Sequence, residues 1–491
     1  MYTIGIAVLI FLCFSLFFAN ILKRFYHPLR KLPSPKENFF TAHYGYFNGY
    51  DQINAVINFG KQFKERGLYT LDTLNGFRFV NLLMPEFIKT VFSDGKSFQR
   101  STATKVIFPL VGNGIFVSNY EDHHWQRKVL NEAFTLQQLK NYFPAFTVHI
   151  DLLMKLWSYS CDKDNGTNII VLDDLSNLSF DIIGDVGFGY QFNTITSHSG
   201  NEFTKALQSY CQLRFQLNAV HKALLAFFPF LMHLSFMYGK RKRAEQVICN
   251  TLNMLINKRK KEIEDGIAAD QKDFLTVVLK DQQKEGSKMT NDLIKDNLMT
   301  LLIAGHETTS TAMQWCLYML GTNLGVQNKL REEIKKNVFD IKSVSYEEVL
   351  SIKYLDCVVK ETLRMHTPVA FIGRINKNQT KFGDFDVPAG SFLRIPIDSA
   401  HMNESVYHDP YSFRPERFLT GEIPPLSFLT FGQGIYNCIG KNFALLEIKT
   451  FLVKALLQFE FSVDLKHLNY KKLISITNKT VEPLWIRVKP I

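Results

Sequence analysis

Phe431-Gly432-Gln433-Gly434-Ile435-Tyr436-Asn437-Cys438-Ile439-Gly440 places one cysteine in a glycine-punctuated loop, just ahead of a helical run that starts near Lys441. Glycine carries no Cβ, so this backbone can turn tightly and lie close to a flat ligand. A cysteine at the mouth of a helix, near free amide N–H groups, sits where a thiolate is favoured over a thiol. It has no partner in sequence: the seven cysteines, at 13, 161, 211, 249, 316, 357 and 438, contain no C-x-x-C pair. A zinc ribbon and a disulfide framework therefore do not fit, and a reducing compartment does. A solitary thiolate held in such a loop suits the axial position of a haem iron. A glycine-rich loop with a cysteine is weak by itself; the spacing F-x-x-G-x-x-x-C-x-G is far more specific.

Working back along the chain, Ala304-Gly305-His306-Glu307-Thr308-Thr309 lies inside a long apolar helix expected over about 292–324. An acid and an alcohol side by side in a buried helix need a reason, because unpaired they cost several kcal/mol. Ala304 and Gly305 precede Thr308 by three to four residues, so they share its face and would admit a flat cofactor or a small gas molecule. Glu307 and Thr308 could then relay protons to it. The plain alternative is a threonine bonding back to the carbonyl four residues earlier. A third segment, Glu361-Thr-Leu-Arg364, sets a carboxylate and a guanidinium on one helix face. Buried with a second arginine it becomes a rigid network, and Pro415-Glu-Arg417-Phe418 offers that arginine.

Taken in this order, the four segments resemble the signature patterns of the cytochrome P450 family, the haem-thiolate monooxygenases. The likeness extends through Phe180–Phe192 and through Gln126-Arg-Lys-Val-Leu-Asn-Glu-Ala-Phe134 to nearly the whole chain. The hinge-to-core layout and the histidines before Arg127 look more like fungal members. The resemblance implies a mainly α fold with a small β portion, haem b as cofactor and Cys438 as axial ligand to its iron. Phe431, Gly432 and Gly440 shape the cysteine loop, and Ala304 faces the cofactor. Thr308 and Glu307 are the oxygen-activating alcohol and acid. Arg127 and Arg374 match the positions that hold the haem propionates. His123 occupies the slot of the family's usual tryptophan and is assigned the same role, with Trp125 left to the core. One departure matters: where the family has arginine or histidine two residues before the cysteine, this chain has Tyr436. A phenol can give a propionate one hydrogen bond but no positive charge. Weakened haem retention, or compensation by Arg127, Arg374 and His123, is expected.

The rest of the sequence agrees. The chain has 491 residues, 46% hydrophobic and 13% aromatic, enough for a large greasy core and a greasy ligand. Residues 1–22 carry no charge and just suffice to span a bilayer, while Lys23, Arg24, Arg30 and Lys31 hold the following flank in the cytosol. With no basic n-region and no A-x-A site, a membrane anchor fits better than a cleaved signal peptide. Pro33 and Pro35 then form a stiff hinge. The expected organisation is an anchor helix over 1–24, a hinge over 25–40 and one catalytic domain over 41–491. Helical periodicity dominates 120–327, with β-like runs near 68–83 and 382–396.

The implied reaction inserts one oxygen atom of O2 into an apolar or weakly polar small molecule: a lipid, xenobiotic or secondary metabolite. No flavin or nicotinamide fingerprint is present, so electrons must come from NADPH through an endoplasmic-reticulum cytochrome P450 reductase, with cytochrome b5 as a second donor. The net charge of +11 suits a membrane surface and an acidic flavoprotein. It is spread along the chain without long basic runs, so no nucleic-acid partner is expected. The family layout puts the pocket in segments 96–114, 203–237, 369–373 and 474–477 and the helix before Ala304. Candidate liners are Phe98, Phe108, Phe116, Phe215, Leu301, Val369, Phe371 and Ile476. Two rivals are a haem-thiolate isomerase or dehydratase that uses no O2, and a haem carrier or sensor without turnover. The acid–alcohol pair Glu307–Thr308 argues against both.

Overall fold

A computed structural model describes residues 15, 18–19, 22–23, 25–36, 43, 51–73, 77–101, 109–197, 202–212, 236–268, 271, 273–464, 468, 470–474 and 477–491. Most of the expected anchor, and the liners Phe108, Phe215 and Ile476, lie outside the described residues. Among the described residues no helix is long and apolar enough to cross a membrane.

The chain opens with helix α1 (Gln52–Gln62), the hairpin β1 (Leu68–Asp72) and β2 (Arg78–Leu82), helix α2 (Pro85–Ser93) and the short β3 (Phe98–Gln99). Helices α3 (Tyr120–Leu130), α4 (Leu136–Ser160), α5 (Val171–Phe188), α6 (Glu202–Gln212), α7 (Phe236–Glu264) and α8 (Phe274–Gln282) follow, with β4 (Thr167–Ile169) between α4 and α5. Then come the long α9 (Asn291–Thr322), α10 (Leu324–Asn337), α11 (Tyr346–Ser351) and α12 (Lys353–Met365). Strands β5 (Phe371–Asn376), β6 (Thr380–Phe382), β7 (Phe385–Val387) and β8 (Phe392–Pro396) lead to α13 (Ile397–His401). Helix α14 (Lys441–Leu456) and strands β9 (Phe459–Ser462), β10 (Lys472–Ile474), β11 (Asn478–Thr480) and β12 (Ile486–Pro490) complete the chain. The mainly helical body with a small β portion is as the sequence leads one to expect.

The largest sheet runs β1-β2-β8-β5-β3, with β2 and β8 parallel and its other neighbours antiparallel. Its register sets Arg374 of β5 opposite Leu393 of β8.

Helix α9 organises the interior. The Thr290 hydroxyl caps its start by accepting from the Leu293 N–H. Its first half, through Leu298, Leu302 and Ile303, packs with α5, α7 and α8. Its last third, from Ala312 to Leu320, packs in a second apolar cluster with α4, α12 and α14. Residues 304–311 belong to neither cluster. There the face of Ala304 stays accessible, although Leu302, Ile303 and Glu307 around it are buried.

The small residue Gly305 serves a different purpose from the one its spacing suggests. A Cβ at Gly305 would meet Ile183 Cδ1 of α5 at 2.4 Å, so this glycine lets α5 and α9 pack closely and does not widen the accessible face. Only Ala304 opens that face. A turn of helix is 3.6 residues, so neighbours one apart point about 100° from each other.

Candidate active site

The cysteine loop is held by its own backbone. The Cys438 N–H donates to the Phe431 carbonyl at 2.8 Å, and Gly432 and Gly434 take positive φ angles of 63° and 68°. At Gly434 a side chain has no room, since a Cβ would lie 2.2 Å from the Phe92 carbonyl oxygen. Gly440 is the N-cap of α14. Cys438 is exposed, yet the protein packed around it pushes the thiol above its usual range, opposed by the Gly440 N–H, Arg127, Arg100 and Lys441. The helix start and its cations therefore act in the direction expected, but desolvation outweighs them; coordination to a metal removes the proton outright.

Around this loop the structure brings together the basic residues picked from sequence, and adds one. Arg127 of α3 grips the residue before the cysteine: Nη1 donates to the Asn437 carbonyl at 2.7 Å and Nη2 to Asn437 Oδ1 at 2.9 Å. Its Nε is given to Asn131 Oδ1 at 2.9 Å, leaving two of five N–H donors. His123, one turn earlier on α3, is buried, and its Nε2 has no partner among the described residues. Burial and the charges of Arg100, Arg127 and Arg374 lower its pKa to about 3, so the imidazole is neutral. Arg374 is 5% exposed, and its Nε is likewise without a partner among the described residues. Burial lowers its pKa to about 10. Trp125 is half-buried against the α5–α9 core, as expected.

Arg100 was not legible as a site residue. It follows β3 directly and belongs to no motif. In space its Nη1 donates to the Ile115 carbonyl at 2.6 Å and its Nη2 to the Tyr436 carbonyl at 3.1 Å. Ile115 is in turn pinned to α9, its N–H donating to Asn297 Oδ1 at 2.8 Å, while Asn297 Nδ2 reaches Gln126 Oε1 of α3 at 3.0 Å.

One expectation is corrected here. The Tyr436 hydroxyl donates to the Gly95 carbonyl at 3.1 Å. Its one hydrogen is spent on backbone, so the phenol does not serve as a propionate donor.

A second group gathers on α9. The Thr308 hydroxyl donates to the Ala304 carbonyl at 2.6 Å, the local back-bond weighed above. Glu307 is buried and forms an ion pair with Lys479 of β11 through one oxygen. Its other oxygen, Oε2, has no partner among the described residues. Thr311 Oγ1 lies 3.3 Å from Thr477 Oγ1, in the residue just before β11. Lys479 is a second residue that sequence spacing did not reveal, 172 positions from its partner.

The structural triad is fully formed. Glu361 receives Arg364 Nε and Nη2 at 2.8 and 2.9 Å and Arg417 Nε at 2.9 Å, all three side chains buried. Arg417 also donates to the carbonyls of His408, Asp409 and Ser412. His401 links this network to the cysteine loop: Nδ1 meets the Arg364 carbonyl at 3.0 Å, and the Leu429 N–H donates to Nε2 at 2.8 Å. One nitrogen must donate and the other accept, so His401 is a neutral tautomer; burial lowers its pKa to about 3.

Among the suggested liners, Phe98 is core, packed in the cluster under the large sheet, while Phe116 and Val369 are exposed and Leu301 and Phe371 half-buried.

The donor set fits a haem. Arg100, Arg127 and Arg374 form no ion pair among the described residues, although desolvation presses on each. Arg374 is buried and Arg100 and Arg127 are half-buried, and positive charge drawn out of water without a counter-ion suits a bound dianion such as a pair of propionates. Beside it stands a lone cysteine at a helix start, the ligand type of haem-thiolate iron.

Site and fold together define a haem-thiolate oxidoreductase. The family model for cytochrome P450 matches residues 55–483, and the chain belongs to that family. Cytochrome P450 4X1 of Homo sapiens is 25% identical over 90% of this chain and 87% of its own length. Probable cytochrome P450 4s3 of Drosophila melanogaster is 27% identical over 83% of this chain and 82% of its own. Cytochrome P450 3A18 of Rattus norvegicus is 28% identical, covering 84% and 81%. The protein is thus a monooxygenase that uses haem b, with NADPH as the family's ultimate reductant.

Proposed function

We propose that this chain is a membrane-anchored monooxygenase of the endoplasmic reticulum that hydroxylates an apolar or weakly polar small molecule. One atom of O2 enters a C–H bond of the substrate and the other leaves as water, with two electrons from NADPH and two protons. Bound haem would supply the redox chemistry that activates O2, with a cysteine thiolate as its protein ligand.

The chain's own residues have four tasks in this reading. Cys438 would ligate the haem iron, and Phe431, Gly432 and Gly440 shape its loop. Arg127, Arg374 and His123 hold the propionates. Ala304 leaves room over the ring. Glu307 and Thr308 carry the two protons.

The observation that carries the reading is Glu307: a buried carboxylate with an unpartnered oxygen, one residue from Thr308 on the accessible stretch of α9. A carrier without turnover has no use for such an acid. The residues 1–22, followed by Lys23 and Arg24, support the anchor and a cytosolic body. A reductase is the electron donor and cytochrome b5 a second one. Substrates are lipids, xenobiotics or secondary metabolites.

The test is oxygen- and NADPH-dependent turnover of a lipid and metabolite panel by membrane fractions containing the chain and reductase. Hydroxylated product, with kcat reduced at least about tenfold in Glu307→Gln, is expected. Oxygen-independent rearrangement of a substrate would replace the proposal with the isomerase reading.

A further inference from the structure

We infer that Tyr436 is a positioning residue that spaces two guanidiniums, and that Arg100 supplies through space the positive charge its family carries two residues before the cysteine. The inference rests on the haem reading above. Its substance is the surroundings of one ring. The guanidinium of Arg100 lies 4.9 Å from the Tyr436 ring centroid, and that of Arg374 also lies 4.9 Å from it. The His123 ring meets it edge-on at 4.6 Å. An aromatic face attracts a cation, so one phenol can hold two like charges that would otherwise repel each other.

Each part of the assembly is fixed in place. The Tyr436 hydroxyl is tied to the Gly95 carbonyl, which sets the ring angle. Arg100 is held by the carbonyls of Tyr436 and Ile115, and Arg374 by its Nη1 on the Gly373 carbonyl at 2.8 Å. These bonds use only part of the ten N–H donors of the two guanidiniums, and Arg374 Nε and His123 Nε2 remain without partners among the described residues. No carboxylate forms an ion pair with either arginine among the described residues. Two unpaired, partly unsatisfied guanidiniums and a buried imidazole donor on one ring make a site for carboxylates.

The consequence reverses the expectation from the family pattern. If Tyr436 merely lacked a charge, Tyr436→Arg would tighten haem binding. In this geometry it would place a third guanidinium between two others, remove the spacer and break the bond to Gly95.

The test is haem transfer from the holoenzyme to excess apomyoglobin, followed by absorbance, for wild type, Tyr436→Arg, Tyr436→Phe, Arg100→Gln and Arg100→Lys. Tyr436→Arg and Arg100→Gln should each lose haem about tenfold faster or more, the scale of one charge-assisted hydrogen bond. Tyr436→Phe, which keeps the ring, should stay within about threefold of wild type, and Arg100→Lys should recover part of the loss. Haem loss from Tyr436→Arg as slow as wild type or slower overturns the spacer role. Unchanged loss from Arg100→Gln overturns the role of Arg100. Circular dichroism of the same samples identifies a variant that has failed to fold, in which case Tyr436→Phe against Arg100→Lys decides. A wild-type chain without stoichiometric haem would instead refute the haem reading itself.

Discussion

Glu447 shows how far burial alone can set chemistry at one residue. It sits on α14 with no exposure, accepting from Ser179 Oγ at 2.6 Å, and desolvation raises its pKa from 4.5 to about 8. Between those values the folded chain holds a proton that the unfolded chain has released. Stability therefore falls as pH rises from about 4.5 towards 8, by an amount on the order of a few kcal/mol. Buried neutral His401 acts oppositely, being forced to charge only on unfolding as pH drops below 6.5. The variant isolates the term: Glu447→Gln should show a smaller fall in Tm between pH 5 and 8 than wild type, measured by thermal scans in detergent. Identical slopes would refute it. Lys479 makes a second residue-scale prediction. Lys479→Gln frees Glu307 from its ion pair, and product formed per NADPH should drop, with hydrogen peroxide rising to match; Lys479→Arg should restore coupling.

Among the elements, a buried polar network ties α12 to the 408–417 segment. Glu361, with no exposure of its own, pairs with both Arg364 and Arg417. Glu361→Gln would leave two buried guanidiniums facing a neutral amide. Breaking a buried pair this way costs about 3–5 kcal/mol, and the expected result is a large fall in Tm with loss of bound haem. A Tm within a few degrees of wild type would contradict it. This lock was readable from sequence because both halves are short local motifs, E-x-x-R and P-E-R-F. Cys438 and the Glu307–Thr308 pair stood out as candidates for the same reason, each lying in a short local motif. Arg100, His401 and Lys479 were not, because each acquires its role only from contacts tens to hundreds of residues away. Gly305 was misread for a related reason: helical spacing says which residues are near one another, but what lies opposite depends on α5. Tyr436 was noticed as a departure, yet its sequence could not show that its hydroxyl is taken by Gly95.

At the scale of the whole molecule, two apolar clusters flank the middle of α9, where Ala304 is exposed while Thr309, Ser310 and Thr311 are buried, and the cysteine loop is braced by Arg127 of α3, by Arg100 after β3 and by the Glu361 network. Rigid support on several sides suits a site that must hold a flat ligand in one orientation. Lys128 is exposed on α3, near Arg127, and Lys441 is exposed at the start of α14. Charge reversal at both should raise the KM for the reductase severalfold at low salt, with less difference at high salt. An unchanged KM would count against docking there. Cys438 is expected to ligate haem iron as a thiolate, and the carbon-monoxide spectrum of the reduced chain reads out that bond. The prediction is a Soret band shifted to the red as thiolate ligation requires, lost in Cys438→Ala; a wild-type band without that shift, or one that survives Cys438→Ala, would contradict it.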